Sequence, residues 1–372
     1  DIEDDKPFVN FIKHFPIDEF NKIENIYVET SITNIKSKSV KIKYHKKILF
    51  EAICHLPKSF NVISNFFLKH WKNFFEILII SFKNPIFLLI QKDLVSSALY
   101  ETLNNRRIVN FIFYTNSIQF NIPLNFTNQS NKSWKSIMLW YTSGCDYFSY
   151  DVLPLDLFKV RMQYIRFDKT YVWSKSQAER LKEGINQINY SISPPVLFYM
   201  PKEKLETNVT TKKYILIFDE TPHLSETTQI HYGFRYKYWN INTSKNFLKD
   251  IINIFDLMNK DLAEPFDLVL KQKKPIEKGH HHQDYEKILD FGKSKGLKIA
   301  NFNCNLFELI NMSSFSIISP FASPAHICAF MEKTSIYYDP KSEIRFIEND
   351  HKNIQLIKGR EELKNYFFNK IY

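Results

Sequence analysis

Short runs of β-branched and aromatic residues alternate with longer amphipathic stretches along this chain, and this alternation limits the possible folds. In the second half, the patterns predict strands at 214–218, 266–271, 315–319 and 334–338, and helices at 244–259, 284–295, 325–333 and 361–370. A helix between two strands returns the chain to the same end of a sheet, so such strands pair in parallel. We therefore predict an α/β fold built on parallel sheets.

The first half repeats the alternation less regularly. Strand patterns occupy 23–30, 107–115, 136–143, 169–174 and 191–197; helical patterns occupy 57–104, with a break at Pro85, and 174–184. Ser174 is the expected N-cap of the latter helix and Gly184 its C′ stop.

A polar stretch over 201–213 resembles a linker. We predict two Rossmann-like domains, residues 1–204 and 205–372. Neither GxGxxG nor GxxxxGK[ST] occurs, so a dinucleotide fingerprint and a P-loop are both excluded.

Composition and charge narrow the class of partner. A chain of 372 residues with 44% hydrophobic and 24% charged residues can bury the cores of two domains. The net charge of +10 favours an anionic partner, such as a nucleotide, an acidic glycan, nucleic acid or an anionic lipid surface. No basic-aromatic motif or nucleic-acid-binding module is present, so nucleic acid is not expected.

Cysteine spacing and hydropathy indicate a cytoplasmic protein. The four cysteines show no CxxC spacing, which argues against a zinc ribbon or a disulfide framework: Cys54, Cys145, Cys304 and Cys328. No signal peptide is visible in DIEDDKPF at the N-terminus. The most apolar stretch, residues 74–90, contains Glu76, Lys83 and Pro85, too many interruptions for a membrane span. We expect at most peripheral contact with an anionic inner-membrane surface.

Polar side chains follow four of the predicted strands of the second half. They are Asp219, Glu220 and Thr221; Lys271, Lys273 and Lys274 with His280, His281 and His282 beyond them; Ser319 and Ser323; and Asp339. The carboxyl ends of parallel strands meet at one edge of a sheet, where ligands bind. This edge is therefore predicted to carry the functional site.

Each of these groups also has an ordinary structural explanation. Asp219 can cap the turn that leads to Pro222, and the lysines can form a solvated charge run. Three consecutive histidines cannot all face one ion on regular backbone, so a solvated loop with one working histidine is expected before a metal site. Their convergence on one edge favours the functional interpretation.

The turn SPFASP at 319–324 joins a buried strand to a helix. Its hydroxyls and the free N–H groups at a helix start suit an anion, above all phosphate. The alternative is an ordinary loop in which Ser323 is the N-cap and Pro324 the first helical residue.

An ordered set of short motifs resembles bacterial surface-polysaccharide glycosyltransferases of GT-B architecture, including the retaining β-Kdo transferases. The similarity covers roughly residues 135–372. The motifs are MLWYTSG (138–144), DKTYVWS (168–174), IFDETP (217–222), LKQKK (270–274), HHHQDY (280–285), SPFASPAHICAFMEKTSIYYDP (319–340) and LIKGREEL (356–363). Two positions depart from the family pattern: Ala322 stands where Thr is usual, and Gln272 where Pro is usual.

The resemblance implies roles for the residues at the predicted edge. The donor phosphate would lie on the turn formed by Ser319, Phe321, Ser323 and Pro324. Charge on the leaving nucleotide would be neutralised by Lys271, Lys273 and His281 or His282. Asp219 would be the carboxylate nucleophile, with Glu220 as second choice, and Asp146 or Asp151 would be the base. No metal and no cofactor are implied.

The implied reaction is transfer of Kdo or a related ulosonic acid, with retention, from a CMP-sugar donor. The acceptor would be an oligosaccharide or a lipid-linked glycan of lipopolysaccharide O-antigen or capsule. Two alternatives stay open. One is a GT-B transferase that uses a UDP- or GDP-sugar; the other is a non-catalytic protein that binds acidic glycan or a membrane surface.

Overall fold

The computed structural model describes the central strands of the first half and most of the second half of the chain. The described residues are 25–28, 41–44, 68, 71, 75–85, 111–115, 135–140, 148–150, 167–184, 188–193, 213–222, 224, 238–272, 276, 281–301, 304–320, 322–346 and 354–371. The chain divides into two compact units, one mainly of residues 1–141 and the other mainly of residues 201–372. The predicted domain boundary at 204/205 stays a prediction.

The first unit contains a parallel sheet of six short strands. In chain order they are β1 (Asn25–Val28), β2 (Lys41–Tyr44), β3 (Phe111–Thr115), β4 (Lys135–Leu139), β6 (Lys169–Val172) and β7 (Tyr190–Ile192). Their order across the sheet is β2-β1-β3-β4-β6-β7. Helix α1 (Lys175–Gly184) joins β6 to β7. The Ser174 hydroxyl accepts a hydrogen bond from Gln177 N at 3.0 Å, which confirms the predicted N-cap, whereas Gly184 is the last helical residue and does not lie beyond it.

The second unit contains a second parallel sheet, with helices between its strands. Its elements are β8 (Tyr214–Phe218), α2 (Ile241–Asn259), β9 (Asp267–Lys271), α3 (Asp284–Ser294), β10 (Lys298–Ala300), α4 (Leu306–Met312), β11 (Phe315–Ile318), α5 (Pro324–Phe330), β12 (Ser335–Asp339), β14 (Ile354–Lys358) and α6 (Gly359–Ile371). The strand order is β10-β9-β8-β11-β12-β14. A separate antiparallel pair joins β5 (Phe148–Tyr150) to β13 (Ile344–Phe346). The predicted α/β class, with two Rossmann-like parallel sheets, is confirmed.

The core of the second unit forms where α2 packs near the central strands. Every residue of β8 is buried, and α2 buries Phe247, Ile251 and Phe255 along one face. This helix begins three residues before its predicted start because the Asn240 side chain accepts hydrogen bonds from Asn242 N and Thr243 N. Helix α5 was predicted to reach Lys333 but ends at Phe330, since Glu332 adopts a positive φ of 57°. Because β8 is buried along its whole length, the position of the residue that follows it, Asp219, is fixed.

Candidate functional site

The strand order of the second sheet reverses direction beside β8. From β8 the chain first adds β9 and β10 on one side, and then β11, β12 and β14 on the other. In open parallel sheets, ligands bind outside the carboxyl ends of the strands at such a switch point. The residues that leave β8 and β11 there are Asp219 and Ser319.

Strand register brings three side-chain positions to one level at this point. Phe218 pairs with Lys271 of β9 and with Ile318 of β11. The next residues, Gln272, Asp219 and Ser319, therefore lie side by side just beyond the strands, and Ser319 N donates a hydrogen bond to Phe218 O at 2.8 Å. The predicted meeting of polar residues at one edge is present in the described part of the sheet.

Asp219 is a buried carboxyl in which one oxygen is hydrogen-bonded and the other has no hydrogen-bond partner among the described residues. Its Oδ2 accepts a hydrogen bond from the Tyr285 hydroxyl, while Oδ1 has no hydrogen-bond partner among the described residues. Burial raises the pKa of Asp219 to about 7; the Tyr285 hydrogen bond opposes that rise and the charge of Glu220 adds to it. A carboxyl that changes its proton near neutral pH is suited to proton transfer, and such groups cluster at functional sites.

Tyr285 is the site residue that the sequence analysis did not assign. It is fully buried in the first turn of α3, and burial together with the Asp219 charge raises the pKa of its hydroxyl. The side chains of Gln272 and Thr221 lie close enough to this hydroxyl to oppose the rise of its pKa. The signal was present in the HHHQDY motif, whose last residue is Tyr285. We infer that Tyr285 orients Asp219.

The Ser319 hydroxyl, which lies level with Asp219, is a second buried group without a described hydrogen-bond partner. The residue is fully buried, and its Oγ has no hydrogen-bond partner within the described ranges. Leaving a buried hydroxyl unpaired costs about 1–3 kcal/mol. Ser319 and Asp219 thus place two buried oxygens without a described hydrogen-bond partner just beyond two adjacent strands, and unsatisfied buried groups of this kind are typical of functional sites.

Ser323 and Pro324 occupy the helix start that the sequence predicts. Ser323 stands at the N-cap position of α5 and Pro324 follows it, but the Ser323 side chain makes no capping hydrogen bond. Its backbone is helical, with φ −62° and ψ −25°, whereas a capping serine is normally extended. The alternative interpretation, in which this hydroxyl caps α5, is therefore wrong.

The basic residues lie on the two segments next to Asp219. Lys271 ends β9 beside Phe218, burial lowers the pKa of its amine, and its Nζ donates to Gln272 O at 3.3 Å. His281 is buried, and His282 N donates to Pro222 O at 2.9 Å. This bond holds the histidine segment against the chain that leaves β8, so Lys271 and the histidines flank the switch point.

Asp339 lies at the same edge, but the fold uses its carboxylate. It accepts hydrogen bonds from the Tyr238 hydroxyl, from Lys341 N at 2.9 Å and from Ile344 N at 2.7 Å. The buried carboxylate thereby fixes the turn between β12 and β13. Its predicted place on the edge is correct, and its role there is structural.

Several predicted site residues lie outside the described residues: Asp146, Asp151, Lys273, Lys274, His280 and Phe321. Their assignments stay predictions. Glu220 directly follows Asp219 and is buried. Within the described parts of the chain, no group of three or more His, Cys, Asp or Glu side chains is arranged to hold a metal ion.

A family model described as polysaccharide biosynthesis PFTS motif protein matches residues 69–367. The chain belongs to this family. Residues 320–323, Pro-Phe-Ala-Ser, carry three of the four letters of the motif in the family's description, with Ala322 in place of Thr. In the sequence of this chain the motif directly follows Ser319.

Solved structures resemble the chain only remotely. A trehalose-phosphate synthase (UDP-forming) from Burkholderia vietnamiensis has 8% identity and a TM-score of 0.43, covering 94% of this chain and 91% of that one. A UDP-GlcNAc 2-epimerase from Methanocaldococcus jannaschii has 11% identity and a TM-score of 0.45, covering 92% and 91%. No curated protein matches the sequence. At these scores the likenesses say nothing about the site.

Tyr285→Phe tests the contact between Tyr285 and Asp219. Because the hydroxyl lowers the pKa of Asp219, its loss moves that pKa above about 7. If turnover requires ionised Asp219, the acidic limb of the pH–rate profile moves to higher pH, and turnover near neutral pH falls about tenfold for each pH unit of displacement.

Tyr338→Phe is the matched control, since its hydroxyl donates to Asp250 Oδ2 on α2 at 2.7 Å and not to Asp219. Both variants lose one hydrogen bond to a carboxyl, which is buried for Tyr285 and partly buried for Tyr338. Only Tyr285→Phe should move the pH limb, and an unmoved limb in both would contradict the role assigned to Tyr285.

Proposed function

We propose that this chain is a glycosyltransferase of polysaccharide biosynthesis that binds a nucleotide-sugar donor at the carboxyl edge of its second sheet. The observation that carries the proposal is the pair formed by Asp219 and Ser319. Both are buried at the switch point, and each has an oxygen without a partner among the described residues. Membership of a polysaccharide biosynthesis family supports the same class of reaction.

The donor phosphate is proposed to pair with Ser319 and with the uncapped hydroxyl of Ser323. Lys271 and the segment of His281 and His282 flank this position and supply positive charge or N–H donors. Hydrogen bonds to a developing phosphate charge stabilise the leaving nucleotide more in the transition state than in the ground state.

Asp219 is proposed to act at the anomeric carbon. In a retaining transfer its carboxylate forms a bond to that carbon as the sugar–phosphate bond breaks and the nucleotide leaves with the electron pair. The acceptor oxygen then replaces Asp219 and loses its proton to a base. Asp146 remains the predicted base, and Glu220 remains the second choice for the carboxylate.

The proposed donor is a UDP- or GDP-sugar, ahead of the CMP-Kdo that the sequence resemblance suggests. The two departures from the Kdo-transferase pattern fall at this edge. Gln272 stands level with Asp219, and its buried Nε2 has no hydrogen-bond partner among the described residues. Ala322 lies in the turn after Ser319 and is buried. Residues that differ beside the proposed phosphate position argue for a different donor.

Thermal unfolding in the presence of CMP, UDP or GDP tests this proposal. A nucleotide that binds only the folded protein stabilises it by about 2.7 kcal/mol at one hundred times its Kd. We expect UDP or GDP to raise Tm more than CMP. Stabilisation by CMP alone would favour the Kdo donor, and the absence of any nucleotide effect would reject nucleotide-sugar transfer at this edge.

Chelation and histidine substitution separate metal-free from metal-assisted chemistry. We expect His281→Ala to lower turnover, because the residue is buried beside the segment that carries Asp219. Treatment with EDTA should leave turnover unchanged, since serine, lysine and histidine donors can stabilise the leaving phosphate. Loss of activity with EDTA that a divalent ion restores would contradict this expectation.

A further inference from the structure

A stripe of large apolar side chains is exposed on residues 68, 71 and 75–83, the described helical residues of this part of the first unit. We define it as Leu68, Trp71, Phe75, Ile79 and Phe82, whose exposed fractions are 67%, 52%, 41%, 61% and 85%. Successive members are three or four residues apart, which is the spacing that places side chains on one face of a helix. The five side chains therefore form one continuous apolar surface.

The side of this helix that carries Ile77 and Ser81 is the less exposed one. Ser81 is buried and donates a hydrogen bond to Ile77 O at 2.7 Å, and Ile77 and Leu78 are half-buried. The helix thus buries residues on one side and still exposes aromatic and aliphatic residues on another. Soluble monomers rarely expose a continuous apolar surface of this kind without a binding role.

Charge around the stripe identifies the kind of partner. Lys83 is exposed next to Phe82, and the same stretch of sequence contains Lys69 and Lys72 against one acidic residue, Glu76. The whole chain carries a net charge of +10. Aromatic and aliphatic residues on one side of a helix, with lysines beside them, are typical of helices that lie in the headgroup region of an anionic bilayer.

We propose that the stripe docks the protein on a membrane surface that contains anionic lipid. No helix in the described part of the chain is long and apolar enough to cross a bilayer. In the proposed arrangement the exposed stripe places the helix in the plane of the interface, with Trp71 and Phe75 among the acyl chain ends and Lys83 at the phosphates. This inference is independent of the proposed transfer reaction.

Vesicle flotation of the full chain tests the proposal. We expect binding to phosphatidylcholine vesicles that contain phosphatidylglycerol, and weaker binding to phosphatidylcholine alone. The double variant Trp71→Ser/Phe82→Ser should lower partition at least about tenfold, because each side chain no longer buries apolar area. The control Leu257→Ser removes an apolar side chain of 45% exposure on α2 and should bind as wild type does.

A second variant keeps the test decisive if the serine substitutions impair folding. Lys83→Glu alters one exposed charge, so it should fold normally while it weakens binding to anionic vesicles and lowers the salt sensitivity of that binding. Equal flotation of wild type, stripe variant and charge variant would overturn the proposal. A dimer that binds no vesicles, and that the stripe substitutions dissociate, would overturn it too, because a second copy would then cover the stripe.

Discussion

Asp219→Asn should lower turnover by about 10²- to 10⁴-fold and, at the same time, make the folded protein more stable above neutral pH. The amide nearly matches the carboxyl in size, and its oxygen can still accept the Tyr285 hydrogen bond. It cannot ionise, attack the anomeric carbon or take up a proton. A loss of this size therefore measures the chemistry of Asp219 and not its packing.

The expected gain in stability follows from the direction of the pKa shift. The folded protein holds a proton on Asp219 up to a pKa of about 7, whereas the ordinary value is 3.8. Between these values the folded state binds more protons than the unfolded state, so the stability contributed by this group is complete below about pH 4 and is lost as pH rises to about 7. At about pH 8 the asparagine variant should be more stable than wild type by roughly 2–4 kcal/mol.

Donor turnover and denaturant unfolding, each measured on both sides of neutral pH, check the two effects together. Asp339→Asn is the matched control, because its carboxylate accepts three hydrogen bonds that hold the fold. That variant should lose stability at every pH. If Asp219→Asn folds normally and retains wild-type turnover, Asp219 is structural, and Glu220 becomes the residue to test.

Periodicity was enough to predict the central strands of the second sheet, because they are short and mostly apolar runs. The predicted bounds of β8 agree with the structure at both ends, because Lys213 precedes the apolar run Tyr214–Phe218 and Asp219 follows it. Elements without a clear period were missed, among them β10, α4 and the β5–β13 pair. Three-residue strands such as Lys298–Ala300 are defined by their neighbours in the sheet and carry too few side chains to show an alternation.

The edge of the candidate site was predictable, but its internal geometry was not. Strand ends in a parallel sheet have to meet, so the proximity of Asp219 to Ser319 follows once β8 and β11 are neighbours. The contact between Tyr285 and Asp219 joins residues 66 positions apart. It depends on how α3 packs, which no local pattern specifies. Likewise, only the register shows that Gln272, a departure from the resemblance, stands level with Asp219.

Ser319→Ala should weaken nucleotide binding while leaving the unliganded protein as stable as wild type, or more stable by about 1 kcal/mol. In the unliganded protein the buried Oγ has no partner among the described residues, so its removal relieves a desolvation cost. In the complex the same hydroxyl is proposed to donate to a phosphate. Loss of a hydrogen bond to a charged group costs about 1.5–3 kcal/mol, or about 10- to 150-fold in Kd.

Opposite effects on the free and the bound protein distinguish a ligand-binding serine from a structural one. Ser316→Ala provides the control. Ser316 is a fully buried serine within β11, beside the Cys328 thiol, whereas Ser319 lies just beyond the end of that strand. Its substitution should leave nucleotide affinity unchanged.

Ser323→Ala should weaken binding in the same way as Ser319→Ala, because no capping bond is lost with it. Calorimetric titration with the nucleotide that stabilises the wild type measures all three. Unchanged affinity in both Ser319→Ala and Ser323→Ala would show that the turn does not hold the phosphate.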